Sequence, residues 1–220
     1  MLEKRISQLK EKLLFMASVV EQMIRGSIKA LVERDEELAK KVIEEEEPKV
    51  NQLEMEIDDM CISLLALYQP EASDLRTVTM VMKINIDLER VGDHAVNIAE
   101  RAIVLLSKPP VKPLIDMPRM AEETTRMLCD SLNSFTNADA DLAMAIRPRD
   151  EVVDALRDGI TRELITYMIA DPKTIDRSLQ LLLIARDLER VADLATNIAE
   201  DVFFMVKGET IKHPALKLQH

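Results

Sequence analysis

The sequence predicts an all-α protein made of two tandem antiparallel three-helix bundles. The composition is poor in strand and hairpin residues, with 4 glycines, no tryptophan and an aromatic share of 3% in 220 residues. Apolar residues recur at alternating spacings of three and four, the pattern of helices packed lengthwise. One block of fourteen residues also occurs twice, as DLERVGDHAVNIAE at 87–100 and DLERVADLATNIAE at 187–200.

Three long helices are predicted in the first half. The second of them contains an internal proline, Pro48, and the third carries the first copy of the block. A turn at Gln69-Pro70-Glu71 separates these two helices. The predicted bounds are Ile6 to Arg34-Asp35 for the first helix, from there to about Tyr68 for the second, and a cap at Ser73 or Asp74 to about Leu106 for the third.

The second half repeats this order. Its second helix again contains a proline, Pro148, where a break is expected. Asp171-Pro172 places a capping residue directly before a proline, a typical helix start. The predicted bounds are about Met117 to Asn137, Asp139 to Ala170, and 172 to 206 with a stop at Gly208.

A proline-rich stretch lies between the halves. SKPPVKPLIDMP at 107–118 contains four prolines and cannot continue a helix. We therefore predict a first three-helix repeat at 1–107, a connection at 108–118, a second three-helix repeat at 119–208 and a C-terminal tail at 209–220.

The charge balance restricts the partners. Forty acidic and 29 basic residues give a formal net charge of −11, which repels nucleic acid and anionic lipid and favours cations. The sequence has no apolar run of eighteen residues, and its N-terminus has no signal-peptide core. We expect a cytoplasmic protein without membrane insertion, and the sequence leaves open whether it is a monomer or a homodimer.

The repeated block places oxygen ligands on one face of a helix. In the first copy, Glu89, Asp93, Asn97 and Glu100 fall at about 0°, 40°, 80° and 20° around the helix axis. This stripe faces away from the apolar side, which centres on Val91. The same stripe recurs in the second copy as Glu189, Asp193, Asn197 and Glu200.

The turns predict partners for both stripes on the preceding helix. A reversal at Pro70 places Glu89 level with Asn51 and Asp93 level with Glu47. In the second half, a reversal near 171–172 places Glu189 level with Asp154 and Asp193 level with Asp150. Clusters of oxygen ligands suit magnesium, manganese, calcium or iron.

Two simpler readings stay open. Each stripe could be a solvated charged face, or it could belong to a salt-bridge network through Arg90, Arg101, Arg186 and Arg190. His94 has no counterpart in the second copy, where Leu194 stands, and is interpreted as a surface or boundary residue. The sequence contains no glycine-rich phosphate loop, no GxSxG and no HExxH, so we do not expect an enzyme.

The twin blocks, with QPEASDLR at 69–76, resemble the phosphate-uptake regulator family PhoU over nearly the whole chain. The resemblance implies two tandem three-helix bundles, and some family members bind multinuclear metal clusters through paired E(D)xxxD motifs on the second and third helix of each half. It points to Glu47, Glu89 and Asp93 in the first half, where Asn51 replaces an expected aspartate. In the second half it points to Asp150, Asp154, Glu189 and Asp193.

The resemblance also implies a role. Family members are negative regulators of phosphate uptake that act at the cytoplasmic ATPase side of a high-affinity phosphate ABC transporter and link it to a two-component sensor histidine kinase. The alternatives are a protein that buffers or delivers metal and a purely structural helical adaptor whose acidic stripes are salt-bridged.

Overall fold

The computed structural model describes residues 2–211 and contains no strand among them. Six long helical segments follow one another, and the second and fifth of these are interrupted, which confirms the all-α prediction and the internal repeat. Of the predicted C-terminal tail, residues 212–220 lie outside the described residues. The α-helices are α1 Leu2–Glu33, α2 Glu36–Lys41, α3 Glu47–Tyr68, α4 Ala72–Leu106, α5 Asp116–Asn137, α6 Ala140–Ile146, α7 Asp150–Ala170 and α8 Ile175–Lys207.

The first helix of each half ends in the same way. Arg34 and Ala138 have positive φ values of 59° and 50°, and the next residue, Asp35 or Asp139, caps the following short helix. The Asp35 carboxylate accepts a hydrogen bond from the Leu38 amide, at 3.1 Å. These ends match the predicted bounds because aspartate is a strong N-cap residue.

The start of α4 differs from the prediction. Neither Ser73 nor Asp74 is the cap, since both lie inside the first turn and the helix begins at Ala72 after Glu71. Glu71 has extended backbone angles, and its carbonyl accepts the first helical bond, from the Asp74 amide at 3.0 Å. Backbone geometry after Pro70 therefore sets this start, without a capping side chain.

The two internal prolines interrupt their helices in opposite ways. A π-helix at Val42–Glu46 precedes Pro48, whereas a 3₁₀ turn at Arg147–Arg149 contains Pro148. Proline has no amide hydrogen to donate, so the helical hydrogen-bond pattern must change near it. After the wider π turn the helix continues as α3, and after the tighter 3₁₀ turn it continues as α7.

The two halves share one hydrophobic core. α4 packs against α1 and α3, and α8 packs against α5 and α7, as expected for two three-helix units. The halves also pack against each other through α4 with α8 and α1 with α5, and buried residues of both halves form a single cluster. We call the contact between α4 and α8 the seam.

Equivalent helices run antiparallel across the seam. His94 of α4 contacts Asp187 of α8, while Lys83, earlier in α4, contacts Asp201, later in α8. The twin blocks therefore lie side by side in opposite directions, the arrangement of an approximate two-fold axis.

The proline-rich connection from Ser107 to Ile115 is held down by basic side chains. Arg34 donates hydrogen bonds to the carbonyls of Leu106 and Lys108 at the end of α4, where a cation is favourable for the helix dipole. Lys112 pairs with Glu163 of α7, and Arg177 of α8 donates to the Pro109 carbonyl at 2.7 Å.

Candidate functional site

Both acidic stripes lie on the side of the helix opposite the core. Val91, Ala95 and Ile98 are fully buried, while Asp93 and Glu100 are exposed and Glu89 and Asn97 are half-buried. The apolar side is occupied by neighbouring helices, so the carboxylates face away from the core.

In the first half, Glu47, Glu89 and Asp93 form an electrostatically coupled group. Burial raises the pKa of Glu89, and the nearby charges of Asp93, Glu54 and Glu47 raise it further. Burial and Glu47 likewise raise the pKa of Asp93, against the opposing effect of His94. We call Glu47, Asn51, Glu89 and Asp93 the first acidic cluster.

Among the described residues, no basic side chain forms an ion pair with the first acidic cluster. No ion pair formed between residues 2 and 211 involves Glu47, Glu89 or Asp93, and Arg90 lies instead 3.9 Å from Asp87. Asn51 supplies the only hydrogen bond to a cluster carboxylate within these residues, from Nδ2 to Glu47 Oε1 at 2.7 Å. The negative charge here is therefore largely uncompensated.

In the second half, Asp150, Asp154, Glu189 and Asp193 form the second acidic cluster. Burial raises the pKa of Asp150, and the charges of Asp193, Asp154 and Glu189 add to this effect, while Arg157 opposes it. The four carboxylates thus approach each other as the turn near 171–172 predicts.

Arginines compensate the second acidic cluster. Arg157 Nη1 lies 3.1 Å from Asp154 and 2.9 Å from Glu189, so one guanidinium joins two helices. Arg190 pairs with Asp193 at 3.1 Å. The salt-bridge reading thus describes the second half, with Arg157 as a participant that the sequence did not suggest.

The outer part of each stripe is not drawn into a cluster. Glu200 pairs with Arg147 at 3.5 Å. For Asn97, Glu100 and Asn197, no hydrogen bond or ion pair within residues 2–211 joins them to the carboxylates of the clusters. Their assignment as ligands stays a prediction, as does that of the cluster residues.

The donor chemistry of the first cluster fits a hard cation. Three carboxylates and one amide lie here, and burial, with a smaller effect of neighbouring carboxylates, raises the pKa of Glu89 and Asp93. Such a set of oxygen donors favours a bound positive charge. Among residues 2–211, however, no three His, Cys, Asp or Glu side chains form a group that could hold a metal ion as they stand. A cation in the second cluster would also have to displace Arg157 and Arg190.

Sequence reasoning missed the aspartate that opens each block. Asp187 is 8% exposed and lies in the seam, where His94 and Arg101 of the other half contact it at 3.0 and 3.2 Å. The signal was available, because position 87 falls on the apolar side of the helix, where a charge requires a partner. His94 is thus a seam residue that joins the two halves.

The fold and these sites define a class: an all-helical protein of two fused three-helix units, with an acidic cluster on each. No helix between residues 2 and 211 has the length and apolar character needed to cross a membrane. The family model for the PhoU domain matches residues 13–102 and again 117–202, one match for each unit. The chain belongs to the PhoU family.

Curated relatives match nearly the whole chain. The phosphate-specific transport system accessory protein PhoU homolog of Aquifex aeolicus is 42% identical over 214 residues, covering 97% of this chain and 96% of the relative. The phosphate-specific transport system accessory protein PhoU of Escherichia coli is 37% identical over 208 residues, covering 94% of this chain and 86% of the relative.

Solved structures agree with the fold. The crystal structure of PhoU from Pseudomonas aeruginosa has a TM-score of 0.91 at 36% identity and covers 95% of this chain and 100% of that one. The phosphate transport system regulatory protein PhoU from Streptococcus pneumoniae has a TM-score of 0.87 at 29% identity and covers 96% and 99% of the two chains.

Proposed function

We propose that this protein is a non-enzymatic accessory regulator of phosphate transport. The observation that carries the proposal is the match of both units to the PhoU domain, together with relatives that are described as phosphate-specific transport system accessory proteins. Helical bundles of this kind offer extended surfaces for partner proteins, and the acidic clusters supply charge for cations or basic protein surfaces.

The finer proposal is negative regulation. The protein acts at the cytoplasmic ATPase side of a phosphate ABC transporter and links it to a sensor histidine kinase, so that phosphate-starvation genes stay silent when phosphate is plentiful.

Gene deletion tests this role. A strain that lacks the gene and carries a reporter for a phosphate-starvation promoter is grown in phosphate-rich and phosphate-poor medium. The expected result is high expression in both media, restored to repression in rich medium by a plasmid copy. A reporter that is still repressed in rich medium without the gene contradicts the role.

We further propose that the first acidic cluster is the stronger cation site of the two. Its carboxylates have no ion-pair partner among the described residues, whereas each carboxylate of the second cluster faces Arg157 or Arg190, or feels the charge of Arg157. Bound iron, manganese, magnesium or calcium would replace the missing positive charge there.

Elemental analysis of dialysed protein tests the metal proposal. We expect Asp93→Ala to remove most of the bound metal and Asp193→Ala to remove little, with Glu151→Ala, an exposed carboxylate beside the second cluster, as the matched control. Circular dichroism confirms that each variant is folded. Equal and negligible metal in the wild type and all three variants would favour the alternative of a purely structural adaptor, in which neither acidic stripe binds metal.

Metal delivery as the main function is a separate outcome. It predicts transfer of the bound ion to a partner and normal phosphate regulation after gene deletion, and the reporter strain therefore distinguishes it from the regulatory role.

A further inference from the structure

A basic groove lies on one side of the seam. It is a cavity of about 400 Å³ that contains three guanidinium groups and an imidazole around a single carboxylate, in a chain whose net charge is −11. Its lining residues are His94 and Arg101 of α4 and Leu183, Arg186, Asp187 and Arg190 of α8.

The buried carboxylate orients the basic groups. Asp187 Oδ1 lies 3.0 Å from His94 Nδ1, and Asp187 Oδ2 accepts a hydrogen bond from Arg101 Nε at 3.2 Å. Both oxygens of Asp187 are thus engaged, and the Nδ1–H of His94 is the donor because a carboxylate can only accept. His94 Nε2 and the two terminal nitrogens of Arg101 have no hydrogen-bond partner within residues 2–211.

Arg186 adds an uncommitted positive charge. Its side chain is exposed, and no carboxylate between residues 2 and 211 forms an ion pair with it. Arg190 is partly committed, since Nη1 contacts Asp193. The groove therefore combines fixed donors at its base with a free guanidinium at its edge.

The opposite side of the seam has no such character. Equivalent positions in the two copies differ by one hundred in number. The equivalents of the groove residues are Leu194 and Asp201 of α8 and Lys83, Ile86, Asp87 and Arg90 of α4. This equivalent surface has two acidic and two basic residues and no histidine. The basic character of the groove thus results from differences between the two copies of the block.

We propose that the basic groove binds a phosphoryl anion, as inorganic phosphate or as the phosphate group of a small ester. Planar guanidinium groups bind phosphate oxygens through paired hydrogen bonds, and several of them can surround one tetrahedral dianion. The cavity has room for inorganic phosphate or for a phosphate that carries an organic group. The choice of a phosphoryl anion over other anions rests on the proposed function in phosphate transport.

Titration calorimetry of the full-length protein tests the groove. Sodium phosphate, adenosine monophosphate and sodium sulfate are each titrated at one pH and one ionic strength. Saturable binding of phosphate at one ion per chain identifies the free anion as the ligand, and binding of the monophosphate alone identifies an ester. Binding of neither, or equal binding of sulfate, overturns the proposal.

Two variants locate the binding. We expect Arg186→Ala to weaken phosphoryl binding about tenfold, the effect of losing one charged hydrogen bond. His94→Leu, which installs the residue of the second copy, should also weaken it. The matched control is Arg162→Ala, because Arg162 is an exposed arginine of α7 outside the groove.

The controls separate the possible failures. Arg186 is exposed, so its variant should keep the wild-type circular dichroism spectrum and unfolding temperature. Unchanged binding in folded Arg186→Ala and His94→Leu proteins places the anion elsewhere and overturns the proposal. Failure of binding leaves the regulatory role intact, whereas normal regulation in the deletion strain refutes that role without affecting the titration.

Discussion

Glu89 and Glu189 occupy the same position in the two copies and have different surroundings. Glu189 contacts Arg157 at 2.9 Å, whereas the pKa of Glu89 is raised by three acidic neighbours and opposed by Arg90, which forms no ion pair with it among residues 2–211. Identical residues in a repeat thus differ in electrostatic role because the preceding helices, α3 and α7, carry different side chains.

The raised pKa of Glu89 has a consequence for stability. Between the ordinary carboxyl pKa, about 4.3, and its raised value, the folded protein binds more protons than the unfolded chain. The stability of the wild type therefore falls as pH rises through this window. We expect Glu89→Gln, measured with a chelator present, to increase the free energy of unfolding at pH 7 by a few tenths of a kcal/mol and to have no such effect below about pH 4.

Thermal or urea unfolding across the pH range checks this prediction. Glu209→Gln serves as the control, because Glu209 is exposed beyond the last helix. If Glu89→Gln is less stable than the wild type at pH 7 with the chelator present, the charge of Glu89 is compensated in the folded protein and the prediction is wrong. Added metal should reverse the sign, since the variant then lacks a ligand.

At the scale of the elements, the ends of α1 and α5 use left-handed residues that are not glycine. Ala138 has φ of 50°, and the Asp139 amide closes the end of α5 on the Ser134 carbonyl at 2.9 Å. Alanine in this conformation is strained, because its Cβ approaches the following carbonyl oxygen.

Glycine at this position should relieve the strain. We expect Ala138→Gly to increase the free energy of unfolding by about 0.5–1 kcal/mol. The same substitution at Ala145, an exposed residue inside α6, should decrease it by about 1 kcal/mol. Urea denaturation of both variants measures the difference, and a loss of stability at both sites would show that Ala138 is not strained.

The elements also show what the sequence could predict. The helix ends at Arg34-Asp35, Asn137 and Gly208 follow from local capping chemistry and were predicted correctly. The π turn at Val42–Glu46 and the start of α4 were not, because they depend on backbone adjustments around Pro48 and Pro70 that have no side-chain signature.

In the candidate site too, local features were predicted and features that depend on distant contacts were not. The approach of Asp150, Asp154, Glu189 and Asp193 follows from helical spacing and one turn, and it was predicted. The need of Asp187 for a partner could have been inferred from its place on the apolar side of the helix. Its partners His94 and Arg101 could not, because they depend on how the two halves pack, a contact between residues far apart in the chain.

For the whole molecule, the shared core predicts a single unfolding transition. Ile57 of α3 and Ile160 of α7 are buried to 0% and 1% exposure in opposite halves of one core cluster. We expect Ile57→Ala and Ile160→Ala each to cost about 2–5 kcal/mol and to shift the whole transition.

Calorimetry and circular dichroism together measure this cooperativity. Independent halves would instead give two transitions in each variant, one of them at the wild-type temperature. Val152→Ala, at an exposed position of α7, serves as the control and should have little effect.

We expect the anchored connection between the two units to resist proteolytic cleavage. Exposed loops between structural units are the common sites of proteolytic nicking, and this one joins two units that each match a family domain. Arg34 of the first half and Arg177 of the second half donate hydrogen bonds to its carbonyls, and Lys112 within it pairs with Glu163 of α7. A protease therefore cannot draw the segment into an extended conformation without breaking these contacts. Brief digestion with proteinase K should therefore leave the two units covalently joined. The connection thus fixes the two units to each other and does not act as a flexible hinge.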